Sequence, residues 1–185
     1  MFLRTLATAA CCTLLATATF AATSPEPQMD KPAGQALPSP AAVADVTLAG
    51  KAIKITYNSP SMRGRKIMGG LVPYGEVWRT GANPATTLIT VANLKIGTLD
   101  VPAGTYTLYT LPSASQWFLI VNKQTGQWGT VYKQDMDLGR TPMQGKTLSA
   151  PQEKMSISFE NTSGNTTQLH IKWETTDEYV TVKAE

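Results

Sequence analysis

The stretch Gln168–Trp173, QLHIKW, decides the fold class, because apolar and polar side chains alternate along its whole length. Leu169, Ile171 and Trp173 are apolar, and a polar residue precedes each of them. A period of two places successive side chains on opposite faces of an extended strand, whereas an amphipathic helix has a period of about 3.6. The stretch therefore predicts a half-buried β-strand.

The same alternation recurs in both directions along the chain. Ile53–Tyr57 and Met155–Phe159 repeat it, and further strands are predicted at Val46–Leu48, Leu88–Ile96, Thr105–Leu111, Trp117–Asn122, Thr130–Tyr132 and Tyr179–Lys183. Turn residues separate them, as in VPAG at 101–104 and NTSGN at 161–165. About nine short strands without an amphipathic helix predict an all-β fold, a single antiparallel β-sandwich, with a closed barrel as the alternative.

The first 21 residues have the pattern of a signal peptide. Arg4 is the only charged residue in 1–21, and an apolar run rich in Ala, Leu and Thr follows it. The threonines dilute this run below what a membrane-spanning helix needs. Small residues at Thr19 and Ala21 predict cleavage after Ala21, so the protein is expected to be exported, periplasmic or secreted, without a transmembrane span after cleavage.

Residues 22–44 are predicted to be a flexible tether, because they are rich in Pro, Ala, Ser and Gln and poor in large apolar side chains. Residues 45–185 then form the β-sandwich domain. The 164 residues that remain after cleavage suit one domain, and both cysteines, Cys11 and Cys12, are lost with the signal peptide. Cleavage reduces the formal charge from +3 to +2, which is too small to predict a nucleic-acid partner.

One segment, residues 58–83, interrupts the strands. It reads NSPSMRGRKIMGGLVPYGEVWRTGAN, with five glycines and two prolines. An irregular stretch of this length in a small domain is usually functional or disordered. Ile67, Leu71, Val72, Val77 and Trp78 favour an ordered loop, because such side chains must pack against the domain.

Several kinds of chemistry lack residues in the mature chain. His170 is the only histidine and no cysteine remains, so no metal site and no cofactor are predicted. Asp135 and Asp137 could bind Ca²⁺, but a solvated turn is the simpler interpretation. Strand alternation places His170 on the polar, solvent-facing side of its strand, where it is not expected to serve a catalytic triad. No catalytic residue is predicted.

The loop instead carries groups suited to binding. Arginine offers a planar fork of donors for carboxylate or phosphate, and tyrosine and tryptophan offer flat faces on which a sugar ring or a cation can stack. The predicted ligand-binding residues are Arg63, Arg65, Tyr74, Trp78, Arg79 and Asn83. The competing interpretation is structural: Tyr74 and Trp78 plug one end of the sandwich, and Arg79 pairs with a buried acid such as Glu174 or Glu160.

These loop residues resemble a family of exported bacterial proteins, domain of unknown function 2911. The resemblance rests on Ser59-Pro60, RGRKI at 63–67, GGLVPYG at 69–75, VWRTGAN at 77–83, VPAGTY at 101–106, the strand with Trp117, and QWG at 127–129. It extends roughly from Val46 to Val182. It implies an exported protein with a β-rich domain, and it assigns no catalytic residue.

Three functions are therefore carried forward. The first is a binding module for an anionic glycan, a peptidoglycan fragment or a carboxylate-bearing small molecule. The second is an envelope protein that acts by protein–protein contact, with the loop as its interface. The third is a hydrolase of carbohydrate or cell-wall substrates, which would need a pair of carboxylates near Trp78.

Overall fold

The computed structural model describes residues 38–185. The predicted signal peptide, 1–21, and most of the predicted tether, 22–44, lie outside these residues. Within them the chain forms a short 3₁₀ helix, Gln134–Met136, and ten strands. The strands are β1 Ala41–Leu48, β2 Lys51–Asn58, β3 Thr87–Thr90, β4 Leu94–Ile96, β5 Leu99–Val101, β6 Gly104–Leu111, β7 Phe118–Asn122, β8 Asp137–Pro142, β9 Gln144–Ser163 and β10 Thr166–Ala184.

The strands form two antiparallel sheets that pack together. The first sheet has six strands in the order β1-β2-β3-β6-β7-β8, and the second has four in the order β5-β4-β10-β9. The predicted all-β sandwich is confirmed, with ten strands where about nine were expected. Because the two sheets have separate hydrogen-bonded ladders, the closed barrel is not the architecture.

The core lies between the sheets and follows the alternation seen in the sequence. Ile53 and Ile55 from the first sheet are buried against the cluster that contains Leu169, Ile171 and Trp173 from the second. Each of these five side chains is at most 3 % exposed. Full burial of a side chain of this size contributes about 1.5–3 kcal/mol, so this core replaces the disulfides that the domain lacks.

The predicted strand Leu88–Ile96 is wrong as one element. It divides into β3 and β4, which belong to different sheets. Thr90 makes the break: its Oγ1 donates to the carbonyl of Ala92 at 2.8 Å and accepts from the Ala92 amide at 3.1 Å. Such a local side-chain turn ends a strand without glycine or proline, so the sequence pattern did not reveal it.

Other strand boundaries also differ. Thr130–Tyr132, predicted as a strand, lies in the irregular segment between β7 and β8. The short strands β5 and β8 were not predicted, because three to six residues carry too little alternation to be recognised. β1 begins at Ala41, so the last four residues of the predicted tether form the first half of that strand.

The expected solvent exposure of His170 is wrong. Its side chain is fully buried, and its Nδ1 lies 2.7 Å from Oδ1 of Asp177. Both residues belong to β10, which has register shifts on either side of Glu174, and Glu174 itself has a φ of 55°. The irregular strand brings Asp177, seven residues later, against the polar face that alternation assigns to solvent.

The long loop is ordered and anchored to the second sheet. Ile67, Met68 and Val72 are buried in the core. The Glu174 carboxylate accepts one hydrogen bond from the Ile67 amide and one from the Met68 amide, each at 3.2 Å. The loop therefore has one side packed on the domain, which leaves its other side free to form a surface.

No helix within residues 38–185 has the length and apolar character that a membrane span requires.

Candidate functional site

One face of the loop lines an open cavity of about 450 Å³, which we call the arginine cavity. The loop supplies most of its wall, and the rest comes from the residues just before β1, from β6, from the segment after β7 and from β10. The lining residues include Ser39, Ser61, Arg63, Arg65, Leu71, Trp78, Arg79, Asn83, Tyr109, Gly129, Thr130, Tyr132 and Trp173. Five of the six predicted site residues thus share one cavity, and their role in binding stays a prediction.

Arg79 is the most enclosed of the three arginines in this wall. Its side chain is half-buried, and burial lowers the pKa of its guanidinium from the ordinary value. Its Nε donates one long hydrogen bond, at 3.3 Å, to the carbonyl of Gly81. A guanidinium has five N–H donors, so most of its donors have no partner among residues 38–185.

Gly129 makes room for this arginine. A Cβ built on Gly129 would lie 2.5 Å from Cδ of Arg79 and 2.8 Å from the carbonyl oxygen of Asn83. Any other residue at 129 would push Arg79 or the loop backbone aside. The segment after β7 therefore helps to fix the position of Arg79, although it is distant in sequence.

Arg63 and Arg65 are exposed and are held by backbone carbonyls. Nη2 of Arg63 donates to the carbonyl of Pro38 at 2.8 Å. Arg65 donates from Nε to Met62 at 2.9 Å and from Nη2 to Ser61 at 2.8 Å. These bonds orient both guanidiniums without neutralising their charge.

No carboxylate forms an ion pair with the three guanidiniums. Among the described residues the lining contains no Asp or Glu, and no acidic oxygen lies within 4.0 Å of a nitrogen of these guanidiniums. The nearest recorded acid is Glu153, whose Oε1 accepts from the backbone amide of Arg63 at 2.9 Å. The proposed pairing of Arg79 with Glu174 or Glu160 is wrong. Glu174 accepts from the loop amides, and Glu160 pairs with Lys172 instead.

Trp78 serves both the core and the cavity. Its ring stacks on Trp173 at a centroid distance of 5.9 Å and meets the edge of Trp117 at 6.4 Å. Its backbone exchanges two hydrogen bonds with Thr110, at 2.8 and 2.9 Å. The interpretation of Trp78 as a plug is therefore correct for one side of the ring, while the half-buried side chain also contributes to the cavity wall.

The backbone around the cavity is strained. Arg63, Thr80 and Asn83 have φ values of 50°, 51° and 61°, in the left-handed region that glycine prefers. Thr80 is β-branched and fully buried, and its Oγ1 bonds to Oγ1 of Thr110 at 3.2 Å. Such residues cost about 1–3 kcal/mol each and tend to cluster at functional sites.

Tyr74 does not belong to the arginine cavity. It is 44 % exposed and lines a second cavity, on a different part of the domain surface. Asn83 does belong, and its Nδ2 donates to the carbonyl of Ser39 at 3.3 Å. The loop thus contributes to two cavities, which the sequence alone did not distinguish.

The lining residues that were not predicted from the sequence include Tyr109, Gly129 and Tyr132. The hydroxyl of Tyr132 donates to Oδ2 of Asp137 at 2.7 Å, and burial, followed by this hydrogen bond, raises the pKa of Tyr132 to about 12. The Tyr132 side chain in the cavity wall therefore stays protonated and uncharged. The QWG motif at 127–129 was the one sequence signal for this part of the site.

Asp137 is also committed to the fold. It accepts from Arg140 and from Nδ2 of Asn122, in addition to Tyr132. These contacts leave little capacity for the Ca²⁺ that Asp135 and Asp137 were considered to bind. Within residues 38–185 no three His, Cys, Asp or Glu residues are grouped as metal ligands.

Comparison with known proteins identifies the family. The chain matches none of the curated proteins and none of the solved structures with which it was compared. Residues 39–182 match the family described as "Protein of unknown function (DUF2911)", which is most of the 185-residue chain and includes both the loop and Gly129. The sequence, the sandwich and this match agree, and the chain belongs to the DUF2911 family.

Proposed function

We propose that this protein is a binding module that holds an anionic group in the arginine cavity. The ligand is an anionic glycan, a peptidoglycan fragment or a small molecule with a carboxylate. The observation that carries the proposal is the charge of the wall: three arginines and, in the described part of the chain, no acid line one cavity. A carboxylate entering it meets three guanidiniums that form no ion pair with any residue of 38–185.

The energetics of Arg79 support this proposal. A half-buried guanidinium has lost part of its hydration, which is why its pKa is lowered. One 3.3 Å bond to Gly81 compensates little of that loss. A carboxylate or phosphate would supply charge-assisted, bidentate hydrogen bonds, which are roughly twice as strong as neutral ones.

The size and the walls of the cavity favour a ring-shaped ligand. Its volume of about 450 Å³ lies within the range of small-molecule sites, about 300–1,000 Å³. Trp78 and Tyr132 contribute partly exposed aromatic groups to the wall, on which a sugar ring can pack, whereas Tyr109 is only 1 % exposed. Asn83 and Thr130 add polar groups for hydroxyls.

The fixed geometry of the loop also supports a binding role. Backbone carbonyls hold Arg63 and Arg65, Gly129 accommodates Arg79, and Thr80 and Asn83, which follow Arg79, have positive φ. A guanidinium that is oriented before binding loses less side-chain entropy when the ligand arrives.

Export is part of the proposal. The signal-peptide pattern of residues 1–21 and the absence of cysteine beyond them suit a periplasmic or secreted domain. The amino-terminal sequence of the protein recovered from cells should start at Ala22. A protein that keeps Met1–Ala21 and stays in the cytoplasm would contradict this part.

The binding test compares acidic sugars with uncharged sugars that have the same ring. We expect calorimetry to detect binding of N-acetylmuramic acid or glucuronic acid, and no comparable binding of N-acetylglucosamine or glucose. Arg79→Ala should weaken binding of the acidic sugar by at least about tenfold, because it removes the most desolvated of the three guanidiniums. The free energy of unfolding should change by less than about 1 kcal/mol.

Lys54→Ala is the matched control, because Lys54 is an exposed cation on β2 outside the cavity wall. It should leave binding unchanged. An equal loss of sugar binding in both variants would mean that binding depends on nonspecific charge attraction. If Arg79→Ala unfolds the protein, the role of Arg79 is structural. If no acidic sugar binds and crosslinking captures a protein at the loop, the protein–protein alternative is favoured.

The hydrolase alternative lacks the pair of carboxylates that it requires. It required two carboxylates in a cleft near Trp78, and the described lining of that cavity contains none. Tyr109 and Tyr132 are the titratable groups of the wall besides the arginines, and burial raises the pKa of each. Neither is poised to act as a base near neutral pH.

A further inference from the structure

The second cavity, which we call the Glu178 cavity, has a polar wall of opposite character. Its volume is about 490 Å³. The wall comes from the turn between β6 and β7, the start of β9, the middle of β10 and one loop residue, Tyr74. Nine of its fourteen lining residues are polar: the hydroxyl and amide residues Ser113, Ser115, Gln116, Gln144, Thr147, Thr175 and Thr176, together with Lys146 and Glu178.

Glu178 is the unusual member of this wall. It is only 9 % exposed, yet its carboxyl group has no hydrogen bond and no ion pair with any residue of 38–185. Buried carboxylates are normally paired, because losing water without compensation is costly. The other buried acid, Asp177, is paired: its Oδ1 lies 2.7 Å from Nδ1 of His170 and its Oδ2 lies 3.3 Å from Nζ of Lys146, although Oδ2 has no hydrogen bond among residues 38–185.

Gly145 provides the space for this carboxyl group. The two residues are partners across β9 and β10, and a Cβ on Gly145 would lie 2.6 Å from Oε1 of Glu178. The glycine does not need a positive φ at this position, so its function is to leave room. A space kept open around an unpartnered carboxyl group is the geometry of a binding site.

The electrostatic surroundings of Glu178 lack a free positive charge. Burial, followed by the neighbouring charge of Asp177, raises the pKa of Glu178 to about 7. The nearest lining cation, Lys146, lies 3.3 Å from Oδ2 of Asp177 and 5.5 Å above the Tyr179 ring. His170 and Lys172 also face Asp177. A cation that enters the cavity therefore finds Glu178 unoccupied.

We propose that the Glu178 cavity binds the ammonium group of a small organic amine, with the Glu178 carboxylate as its counter-ion. The exposed ring of Tyr74 adds an aromatic face for the same cation. The surrounding hydroxyls and amides bind the polar parts of the ligand. This site is independent of the arginine cavity and does not require the function proposed there.

The test uses two amines and their neutral counterparts. The probes are putrescine against 1,4-butanediol, and glucosamine against glucose, so that an aliphatic amine and an amino sugar are distinguished. At pH 8.5 at least one amine should bind and its neutral counterpart should not. At pH 5.5 binding should be roughly thirtyfold weaker, because a carboxyl group with a pKa of about 7 is then only about 3 % ionised.

Two variants separate this site from general charge effects. Glu178→Gln keeps the shape, removes the charge and should abolish the pH-dependent binding. Glu76→Gln removes an exposed loop carboxylate outside both cavity walls and should bind like the wild type. If Glu178→Gln fails to fold, Gly145→Ala, which obstructs the carboxyl group, should weaken amine binding at least about tenfold.

The results that would overturn the proposal are specific. They are equal binding of an amine and its neutral counterpart, undiminished amine binding by Glu178→Gln, or no binding of either amine at pH 8.5. Loss of acidic-sugar binding in Arg79→Ala leaves this proposal unaffected, because Arg79 does not line the Glu178 cavity.

Discussion

The charged groups around His170 and those of the arginine cavity differ in how their charge is balanced. His170, Asp177, Lys172, Glu160 and Lys146 form what we call the His170 network, in which each charge has an opposite partner. The three guanidiniums have carbonyl contacts and, among residues 38–185, no acidic partner, although the backbone amide of Arg63 donates to Glu153. The charge of the His170 network is paired within the fold, whereas the guanidiniums, which we propose bind a ligand, have no ion pair.

Two adjacent residues show the same contrast at closer range. Asp177 is buried and bonded to His170, while Glu178 is buried and bonded to none of the described side chains. Both lie on β10 and on neighbouring positions, so burial alone does not separate a structural from a binding carboxylate. The partners of each group make that distinction, and mutation can test it.

The largest effect is expected from Asp177→Ala. It leaves the buried His170 and the nearby Lys172 without their acidic partner, and breaking one member of a buried pair is strongly destabilising. We expect urea denaturation to show a loss of about 3–5 kcal/mol in the free energy of unfolding. Binding of the acidic sugar by the folded protein should not change.

Asp100→Ala is the control for this loss. Asp100 pairs with Lys95 at 2.7 Å, but its side chain is 78 % exposed. Such surface pairs contribute about 0–1 kcal/mol, so this variant should unfold nearly like the wild type. Equal losses in the two variants would contradict the structural role of the His170 network.

A smaller effect is expected from the pH dependence that Glu178 causes. Its pKa is about 7 in the folded protein and near its ordinary 4.5 when unfolded, so the folded state holds the extra proton between these values. The free energy of unfolding should therefore fall as pH rises from about 4.5 to about 7, by up to about 3 kcal/mol, and then level off.

Glu178→Gln should remove this slope and make the protein more stable than the wild type at pH 8. Denaturation curves of both proteins across that range give the difference directly. Stabilities of the wild type and the variant that run parallel with pH would show that folding does not raise the pKa of Glu178.

Much of the fold could be read from the sequence, because a sandwich core imposes a period of two. Leu169, Ile171 and Trp173 are buried as their alternation predicts. The rule failed at His170, because alternation assigns a face and does not say what covers it. Here Asp177 from the same irregular strand covers that face. It also failed at Thr90, where a side-chain hydrogen bond ends β3.

The site was accessible from sequence only in part. The RGRKI and VWRTGAN motifs contain the five predicted residues that meet in the arginine cavity: Arg63, Arg65, Trp78, Arg79 and Asn83. The other wall residues are distant in sequence: Tyr109 lies 26 residues after Asn83, and Tyr132 lies 53 residues after Arg79. Only the folding of the strands brings them and Gly129 close to the loop. Glu178 carried no motif, because its importance lies in the partners it lacks.

The most direct test of the central claim is to observe the arginine side chains while an acidic sugar is added. In a nitrogen–proton NMR titration, the Nε–Hε signal of Arg79 should shift in proportion to bound N-acetylmuramic or glucuronic acid. The signal of Arg140, already bonded to Asp137 at 3.1 Å, should stay in place. An unchanged Arg79 signal, or equal shifts at Arg79 and Arg140, would contradict a ligand site at the arginine cavity.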